Sequence, residues 1–188
     1  MQLKEVFSEI FRRRVWQHAE SVSGTGSDAD ATRVIKDEII NLVNELDIKS
    51  FFDCACGDFN WMRDVVPRLD NVEYVATDIV PELVKQNQLK YPKVEFWVTD
   101  ITRDSLPKMD LMMCRDCLVH LSFANTVRFI KNFVASGSTY LLTTSFTRDS
   151  ENVDIPEEHL IGWRPLNLQL RPFNFPAPLR TIVEVRIS

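Results

Sequence analysis

The chain opens with two stretches in which apolar residues recur every three or four positions, 3–18 and 29–46. This spacing places the apolar side chains on one face of a helix, so each stretch is predicted to be an amphipathic helix. The polar segment 20–28 between them contains two glycines and predicts a loop. The apolar positions of the first helix are Leu3, Val6, Phe7, Ile10, Phe11 and Val15.

From residue 49 the pattern changes to short apolar runs that alternate with helix-like segments. Such alternation predicts βαβ units and an α/β fold with a mainly parallel sheet. Right-handed crossovers bring the carboxyl ends of all the strands to one edge, where ligands bind in sheets of this kind. The predicted strands are 50–54, 74–78, 94–98, 110–114 and 140–144, with 181–187 as a further strand, and the helices are 60–69, 81–90 and 122–134.

Composition favours one globular domain. The 188 residues are 45% hydrophobic and 26% charged, which is ordinary for a domain with a core. We divide the predicted domain into N-terminal helices with a lid loop (1–48), a βαβ core (49–146), and a substrate loop with the last strand (147–188). A formal net charge of -5 argues against a large nucleic-acid surface.

The same sequence predicts a cytoplasmic protein without a membrane span. No apolar run reaches the roughly 18 residues that a spanning helix needs, and the first residues lack the apolar core of a signal peptide. The four cysteines are then expected to be reduced thiols. Cys54 and Cys56 with Cys114 and Cys117 have a spacing that four-thiolate zinc sites use, but alternate strand residues face opposite ways, so no metal is expected.

Three successive strands end in acidic residues. Asp53 precedes a turn that contains Gly57, Asp78 follows twenty-five residues after Asp53, and Asp100 precedes Ile101. A glycine allows a ligand to approach the backbone closely, and a carboxylate at the next strand end can accept hydrogen bonds from ribose hydroxyls. Each acid alone is no more than a solvated strand end. Together they predict a nucleoside-binding edge.

These strand ends resemble the motifs of the class I S-adenosylmethionine-dependent methyltransferases. The similar segments are 52–58 for motif I, 75–79 for the acidic motif, 98–101 for the adenine-contacting motif and 110–116 for the fourth-strand motif. The resemblance implies a Rossmann-like three-layer sandwich, S-adenosylmethionine as cofactor and S-adenosylhomocysteine as product. It implies these cofactor-binding residues: Asp53, Cys54, Ala55, Gly57, Trp61, Asp78, Ile79, Asp100, Ile101 and Arg115.

A narrower resemblance is to a bacterial and viral group within that superfamily. It is carried by 56–62, 115–121, 167–169 and 172–176. Members of the group often lie among glycan-related genes, which implies methylation of a sugar or glycan hydroxyl. The family usually has glycine at or near Ala55 and Phe59, and it often ends in an antiparallel strand pair, which is incomplete in this sequence.

The catalytic candidates are Asp116 and His120, which follow the fourth strand. An imidazole has a pKa near that needed to remove a proton from a hydroxyl. Asp116 lies four positions before His120, so one helical turn would let the carboxylate orient the ring. Two alternatives stay open: Asp116 is itself the base, or His120 only shapes the pocket.

For several other residues and segments the sequence supports two alternative roles. Asp58 either binds the ammonium group of the cofactor or caps a helix, and Trp61 either packs in the core or stacks on a ligand. The tail is either a substrate cover or a packed crossing of the sheet edge, and the N-terminal helix with the 20–28 loop is either a second lid or packing. The predicted substrate-binding residues are Asp154, Trp163, Arg164 and Asn167.

The sequence therefore predicts O-methylation of a small acceptor, with a sugar or glycan hydroxyl as the favoured one. The alternatives are N-methylation of a small molecule or nucleic acid, a catalytically silent methyltransferase-like binding domain, and a dinucleotide oxidoreductase. The missing G-x-G-x-x-G pattern and Asp100 disfavour the last of these. The chain is also compatible with being one domain of a longer protein.

Overall fold

The structure, a computed structural model, describes residues 2–155 and 162–184. Its centre is a five-stranded sheet in the order β3-β2-β1-β4-β5, in which every neighbouring pair is parallel. This arrangement is the Rossmann-like α/β fold that the alternating pattern predicts. The strands are β1 (Ser50–Asp53), β2 (Glu73–Asp78), β3 (Glu95–Val98), β4 (Leu111–Cys114) and β5 (Tyr140–Thr143).

Helices cover both faces of the sheet. They are α1 (Leu3–Arg12), α2 (Ala29–Glu45), α3 (Pro81–Lys90) and α4 (Phe123–Ser136). The central strand β1 sends Phe51 into the core shared with α2 and α3, and Phe52 into the core shared with α1 and α4. Both rings are completely buried, as expected for a parallel strand covered on both faces.

Two predicted helices differ from the structure. The first ends at Arg12 rather than at residue 18, and Arg14 follows with a left-handed backbone, φ +54°. The segment 60–69 forms two short 3₁₀ turns, Met62–Asp64 and Val66–Arg68. Pro67 within the second turn has no N–H to donate, which disfavours a continuous helix.

The tail is irregular throughout the part that the structure describes. Residues 181–184 form no strand, contrary to the prediction for 181–187, whose last three residues lie outside the described part. Instead, Ile182 packs against the core on the α2 side, and Arg180 pairs with two glutamates of α2. Within 2–155 and 162–184, no helix has the length and apolar character needed to cross a bilayer.

The turn after β1 accounts for Phe59, one of the departures from the family pattern. Its backbone is left-handed, φ +59°, a conformation that glycine adopts most easily. Its ring is 1% exposed and lies edge-on to Tyr91 and Phe96, with centroids 5.0 and 5.3 Å away. The bulky side chain therefore fills the core rather than the ligand turn.

Phe59→Ala should lower the free energy of unfolding by about 3–5 kcal/mol, because it opens a cavity among three aromatic rings. Urea denaturation followed by circular dichroism measures the change. Leu89→Ala is the control, since Leu89 is 76% exposed and its truncation should cost less than about 0.5 kcal/mol. Equal effects of the two substitutions would contradict the packing described for Phe59.

Candidate functional site

One cleft lies at the carboxyl ends of the strands, and its volume is about 1120 Å³ when the open solvent space at its mouth is included. It is lined by strand ends on one side and by α1 and the 20–28 loop on the other. The sequence-predicted residues among its lining are Asp53, Cys54, Ala55, Gly57, Trp61, Asp78, Ile79, Asp100, Ile101, Arg115, Asp116 and His120.

Asp78 ties the end of β2 to the turn after β1. Its Oδ2 accepts a hydrogen bond from the Gly57 N–H at 3.1 Å and its Oδ1 accepts one from the Val80 N–H at 3.0 Å. Burial raises the pKa of this carboxyl, and the backbone N–H groups oppose that shift. A carboxylate has about four acceptor positions, so Asp78 keeps capacity for a ligand hydroxyl.

Asp100 is held in a tight turn at the end of β3. Its Oδ1 accepts hydrogen bonds from the N–H of Thr102 at 3.0 Å and from the hydroxyl of the same residue at 2.7 Å. Ile79 and Ile101, which follow the acidic ends of β2 and β3, line the same cleft. Two aliphatic side chains beside a carboxylate provide an apolar contact for a flat ring and an acceptor for its amino group.

Asp53 lies in the cleft wall and is almost completely buried. Burial raises the pKa of its carboxyl to about 7, against hydrogen bonds from the Tyr74 hydroxyl and the Ala55 backbone that lower it. The Tyr74 oxygen lies 2.7 Å from Oδ2. The nearby Asp78 raises the pKa further, and Arg115 lowers it. A positive ligand group placed here would favour ionisation of Asp53.

The 20–28 loop is seated on the turn after β1. Asp58 accepts hydrogen bonds from the Ser21 hydroxyl at 3.0 Å and from the Val22 N–H at 2.9 Å. Gly57 has φ +56°, and a Cβ there would lie 2.2 Å from the Ser23 hydroxyl oxygen. Asp58 therefore anchors the loop, a role that sequence reasoning missed. It also accepts a hydrogen bond from the Asn60 N–H at 3.3 Å, but the first turn that follows, Met62–Asp64, begins after Trp61 without a side-chain cap, so the predicted helix cap is not formed.

The same loop also reaches the end of β4. A Cβ on Gly26 would lie 2.7 Å from Oδ2 of Asp116, so any side chain at this position would require the Asp116 carboxylate to shift. Asp116 has a left-handed backbone, φ +50°, and donates its N–H to the Thr144 hydroxyl. The predicted helical turn from Asp116 to His120 is therefore wrong. A 3₁₀ turn, Leu118–His120, carries the histidine instead.

His120 is positioned by a backbone carbonyl and by an aromatic ring. Its Nδ1 lies 3.0 Å from the Gly162 oxygen, and its ring lies 4.5 Å from that of Trp16 at an interplanar angle of 31°. Burial lowers the pKa of the imidazole, against the opposing effects of the Gly162 carbonyl and Asp116. An Nδ1–H bonded to a carbonyl leaves Nε2 as the basic nitrogen.

Trp16 is the cleft residue that the sequence pattern missed. It lines the cleft together with Phe7 and Phe11 of the N-terminal segment, and its ring centroid lies 5.9 Å from that of Phe7. If the helix had continued to residue 18 as predicted, helical periodicity would have indicated the direction of the Trp16 side chain. Because α1 ends at Arg12, periodicity carries no information about where this ring points.

Arg164 and Asn167 do not fit the predicted substrate contacts. The Arg164 guanidinium is buried and donates to the carbonyls of Val153, Leu118 and Leu121 at 2.7, 3.1 and 2.6 Å. Asn167 is buried as well and donates its amide to the carbonyl of Asp149. Both side chains fix the tail, and Arg164 braces the turn that carries His120.

The other two substrate predictions also lie outside the cleft lining. Asp154 accepts a hydrogen bond from the N–H of Phe123, at the start of α4, at 2.7 Å. Trp163 is 47% exposed and lies edge-on to Phe146 with centroids 5.3 Å apart. The described tail residues thus bond to the elements that carry the cleft and do not line it. This arrangement is closer to the alternative in which the tail is a packed crossing of the sheet edge.

Three of the cysteines near the cleft are buried in surroundings that disfavour the thiolate. Burial raises the pKa values of Cys54, Cys56 and Cys114 well above the ordinary range, and negative charges nearby act in the same direction. No group of three or more His, Cys, Asp or Glu residues in 2–155 and 162–184 is arranged to hold a metal ion.

Solved structures with the same fold include several methyltransferases. Magnesium protoporphyrin IX methyltransferase from Synechocystis PCC 6803, with bound SAM, has a TM-score of 0.53 at 17% identity, covering 79% of this chain and 78% of that one. Human N-acetylserotonin methyltransferase in complex with SAM has a TM-score of 0.52 at 14% identity, and the match covers 72% of this chain and 39% of that one.

N-methyltransferase NodS from Bradyrhizobium japonicum WM9, in complex with S-adenosyl-l-homocysteine, has a TM-score of 0.51 at 14% identity, covering 69% of this chain and 66% of that one. No protein-family model and no curated protein matches the sequence. The chain thus spans 39% of the human enzyme's structure. At these identities the likeness establishes the fold alone, a Rossmann-like α/β fold that these methyltransferases share.

The buried Asp53 should make stability depend on pH. Its pKa is about 7 in the folded chain against an ordinary value of 3.8. The folded state keeps a proton that the unfolded state releases between these values, so this group destabilises the fold as pH rises. Relative to wild type, Asp53→Asn should gain at least about 1 kcal/mol of unfolding free energy between about pH 4.5 and 7.5.

Urea denaturation at both pH values measures this gain. Asp70→Asn, on the exposed surface, is the control and should follow the wild-type pH dependence. If the wild-type and Asp53→Asn stabilities change in parallel with pH, the raised pKa of Asp53 is wrong.

Proposed function

We propose that this chain is an S-adenosylmethionine-dependent methyltransferase that methylates a hydroxyl group of a small acceptor. One observation carries the proposal: the carboxylates of Asp53, Asp78 and Asp100, with the Gly57 turn, line a single cleft at the strand ends. That edge is where ligands bind in doubly wound sheets. Proteins of the same fold have been solved with SAM or S-adenosylhomocysteine bound.

The residues present fit the cofactor along its length. The remaining acceptor capacity of Asp78 suits the two ribose hydroxyls. Asp100, Ile79 and Ile101 suit an adenine ring, through its amino group and its faces. The Gly57 turn and the buried Asp53 suit the amino-acid part, because an ammonium group would favour the ionised form of Asp53.

The acceptor belongs at the other end of the cleft, beside His120 and Asp116. When bound, the cofactor supplies an electrophilic methyl group, so the chain has to align the acceptor and remove its proton. The Gly162 carbonyl fixes the tautomer of His120, which leaves Nε2 to accept a hydroxyl proton. Asp116 stabilises the imidazolium that forms, since its charge raises the pKa of His120.

A sugar or glycan hydroxyl is the acceptor implied by the narrower family resemblance. Arg164 and Asn167 do not contribute polar contacts to it, because both are bonded within the tail. Trp16 offers an aromatic surface on which the apolar face of a sugar ring can stack. Acceptor screening should therefore include sugars and hydroxylated aromatic compounds.

Replacing Asp78 should remove cofactor binding. Calorimetry with S-adenosylhomocysteine should give micromolar affinity for wild type, and Asp78→Ala should lose at least about tenfold, the value of one to two hydrogen bonds to a charged group. The exposed Asp70→Ala is the matched control. An unchanged affinity in Asp78→Ala, with a cooperative thermal melt, would contradict the proposed cofactor site.

Replacing His120 should affect chemistry rather than cofactor affinity. His120→Gln should lower methyl transfer to a hydroxyl acceptor by about 100-fold or more, with the affinity for S-adenosylhomocysteine within about threefold of wild type. The wild-type rate should fall on the acid side only below about pH 6.5, because burial lowers the pKa of His120. An unchanged rate profile in His120→Gln would show that another group is the base.

A further inference from the structure

Arg115 is an unusual member of the cleft wall. Among the cleft-lining residues that the structure describes, it alone is a lysine or arginine, and four aspartates line the same cleft. Its side chain is only 8% exposed. One face of its guanidinium lies over the Trp61 ring, 5.3 Å from the centroid. A buried cation is costly unless it is paired, so the partners of Arg115 indicate its role.

Glu184 holds one edge of this guanidinium. Its two carboxylate oxygens accept hydrogen bonds from Nε at 2.9 Å and from Nη2 at 2.7 Å. A guanidinium carries five N–H donors in a planar fork, so a second edge remains. Nη1 makes no hydrogen bond with a described residue. Its carboxylate neighbour is Oδ2 of Asp116, 3.7 Å away and itself in the cleft wall.

Glu184 is held in turn by the tail that carries it. Ile182 packs against the core beside α2. Arg180 donates to the carboxylate oxygens of Glu38 and Glu45. The segment 180–184 therefore runs from the surface of α2 to Arg115. There Glu184 binds the Nε and Nη2 edge of the guanidinium, whereas Asp116 lies nearest to Nη1.

The charge of the cleft decides what this second edge can bind. The amino-acid part of S-adenosylmethionine carries an ammonium and a carboxylate. The aspartates can take the ammonium, but they would repel the carboxylate. Arg115 is the cationic side chain among the described lining that can pair with it, in the bidentate geometry that guanidinium and carboxylate share.

We propose that the Nη1 edge of Arg115 is the carboxylate-binding subsite of the cleft, and that Glu184 is the positioning residue that holds Arg115 for it. The subsite rests on the proposed function and deepens it, because it selects ligands that carry an α-amino-acid carboxylate over plain thionucleosides. Glu184 and the ligand use different edges of the guanidinium, so both carboxylates bind together.

Two ligands that differ only in the amino-acid part test the subsite. Calorimetry compares S-adenosylhomocysteine with 5′-methylthioadenosine, which keeps the nucleoside and the thioether but has no carboxylate. Arg115→Met should weaken S-adenosylhomocysteine at least about tenfold and leave methylthioadenosine within about threefold. Arg115→Lys keeps the charge without the fork and should fall between wild type and Arg115→Met.

Two tail variants test the positioning role. Glu184→Gln should weaken S-adenosylhomocysteine by about three- to tenfold, and methylthioadenosine should be unaffected. Arg171→Gln is the matched control, since it removes a charge from an exposed tail residue that lies outside segment 180–184 and outside the described cleft lining. It should leave both affinities unchanged.

If Arg115→Met and Arg115→Lys lower the affinities for both ligands equally, Arg115 only packs in the cleft wall and the subsite proposal is wrong. Unchanged S-adenosylhomocysteine affinity in both variants would overturn it as well. Tighter binding of S-adenosylhomocysteine by Glu184→Gln would make Glu184 a competitor and overturn its positioning role. If wild type binds methylthioadenosine but not S-adenosylhomocysteine, the subsite fails while the nucleoside site stands. If it binds neither, the proposed function itself fails.

Discussion

The left-handed backbone of the turn after β1 is the constraint on which the rest of the site depends. At Phe59 it turns a large ring away from the cleft and into the aromatic core beneath. At Gly57 the same conformation is adopted by a residue that has no side chain. The Gly57 N–H donates to Asp78, and the Ser23 hydroxyl lies where a side chain at position 57 would be. Because a left-handed conformation costs roughly 1–2 kcal/mol for a residue other than glycine, the packing of the Phe59 ring must offset it.

The N-terminal segment depends on this turn and completes the cleft. Asp58 anchors the 20–28 loop, and the loop lies over the strand ends as far as Asp116, whose carboxylate lies close to Gly26. Trp16 then stacks on His120 from the same side. Partial exclusion of water from a cleft strengthens the interactions between its charges, which here are four carboxylates and the guanidinium of Arg115 among the described lining residues.

The parts of the fold that follow from hydrophobic periodicity were predictable. All five strands of the sheet occur at the predicted places along the chain, and the strand-end residues Asp53, Asp78 and Asp100 meet at one cleft because parallel topology brings strand ends together. Local backbone conformation was not predictable in the same way. The left-handed residue at Asp116 breaks the helical turn that the spacing to His120 suggested.

The tail shows a second limit. Arg164 has the composition of a ligand-binding residue, but its guanidinium is buried against three backbone carbonyls. Glu184 has no motif around it, and it reaches Arg115 through a tail that does not form the expected strand. In both cases the partner lies far away in sequence, so side-chain type alone cannot identify the role.

The most direct test of the account is a crystal structure of the chain with S-adenosylhomocysteine. The account predicts density along the strand ends, with the ribose hydroxyls on Asp78, the adenine beside Asp100, and the amino-acid part over the Gly57 turn with its sulfur towards the His120 end. A ligand bound elsewhere, or one bound in this cleft with its nucleoside at His120 instead, would contradict it.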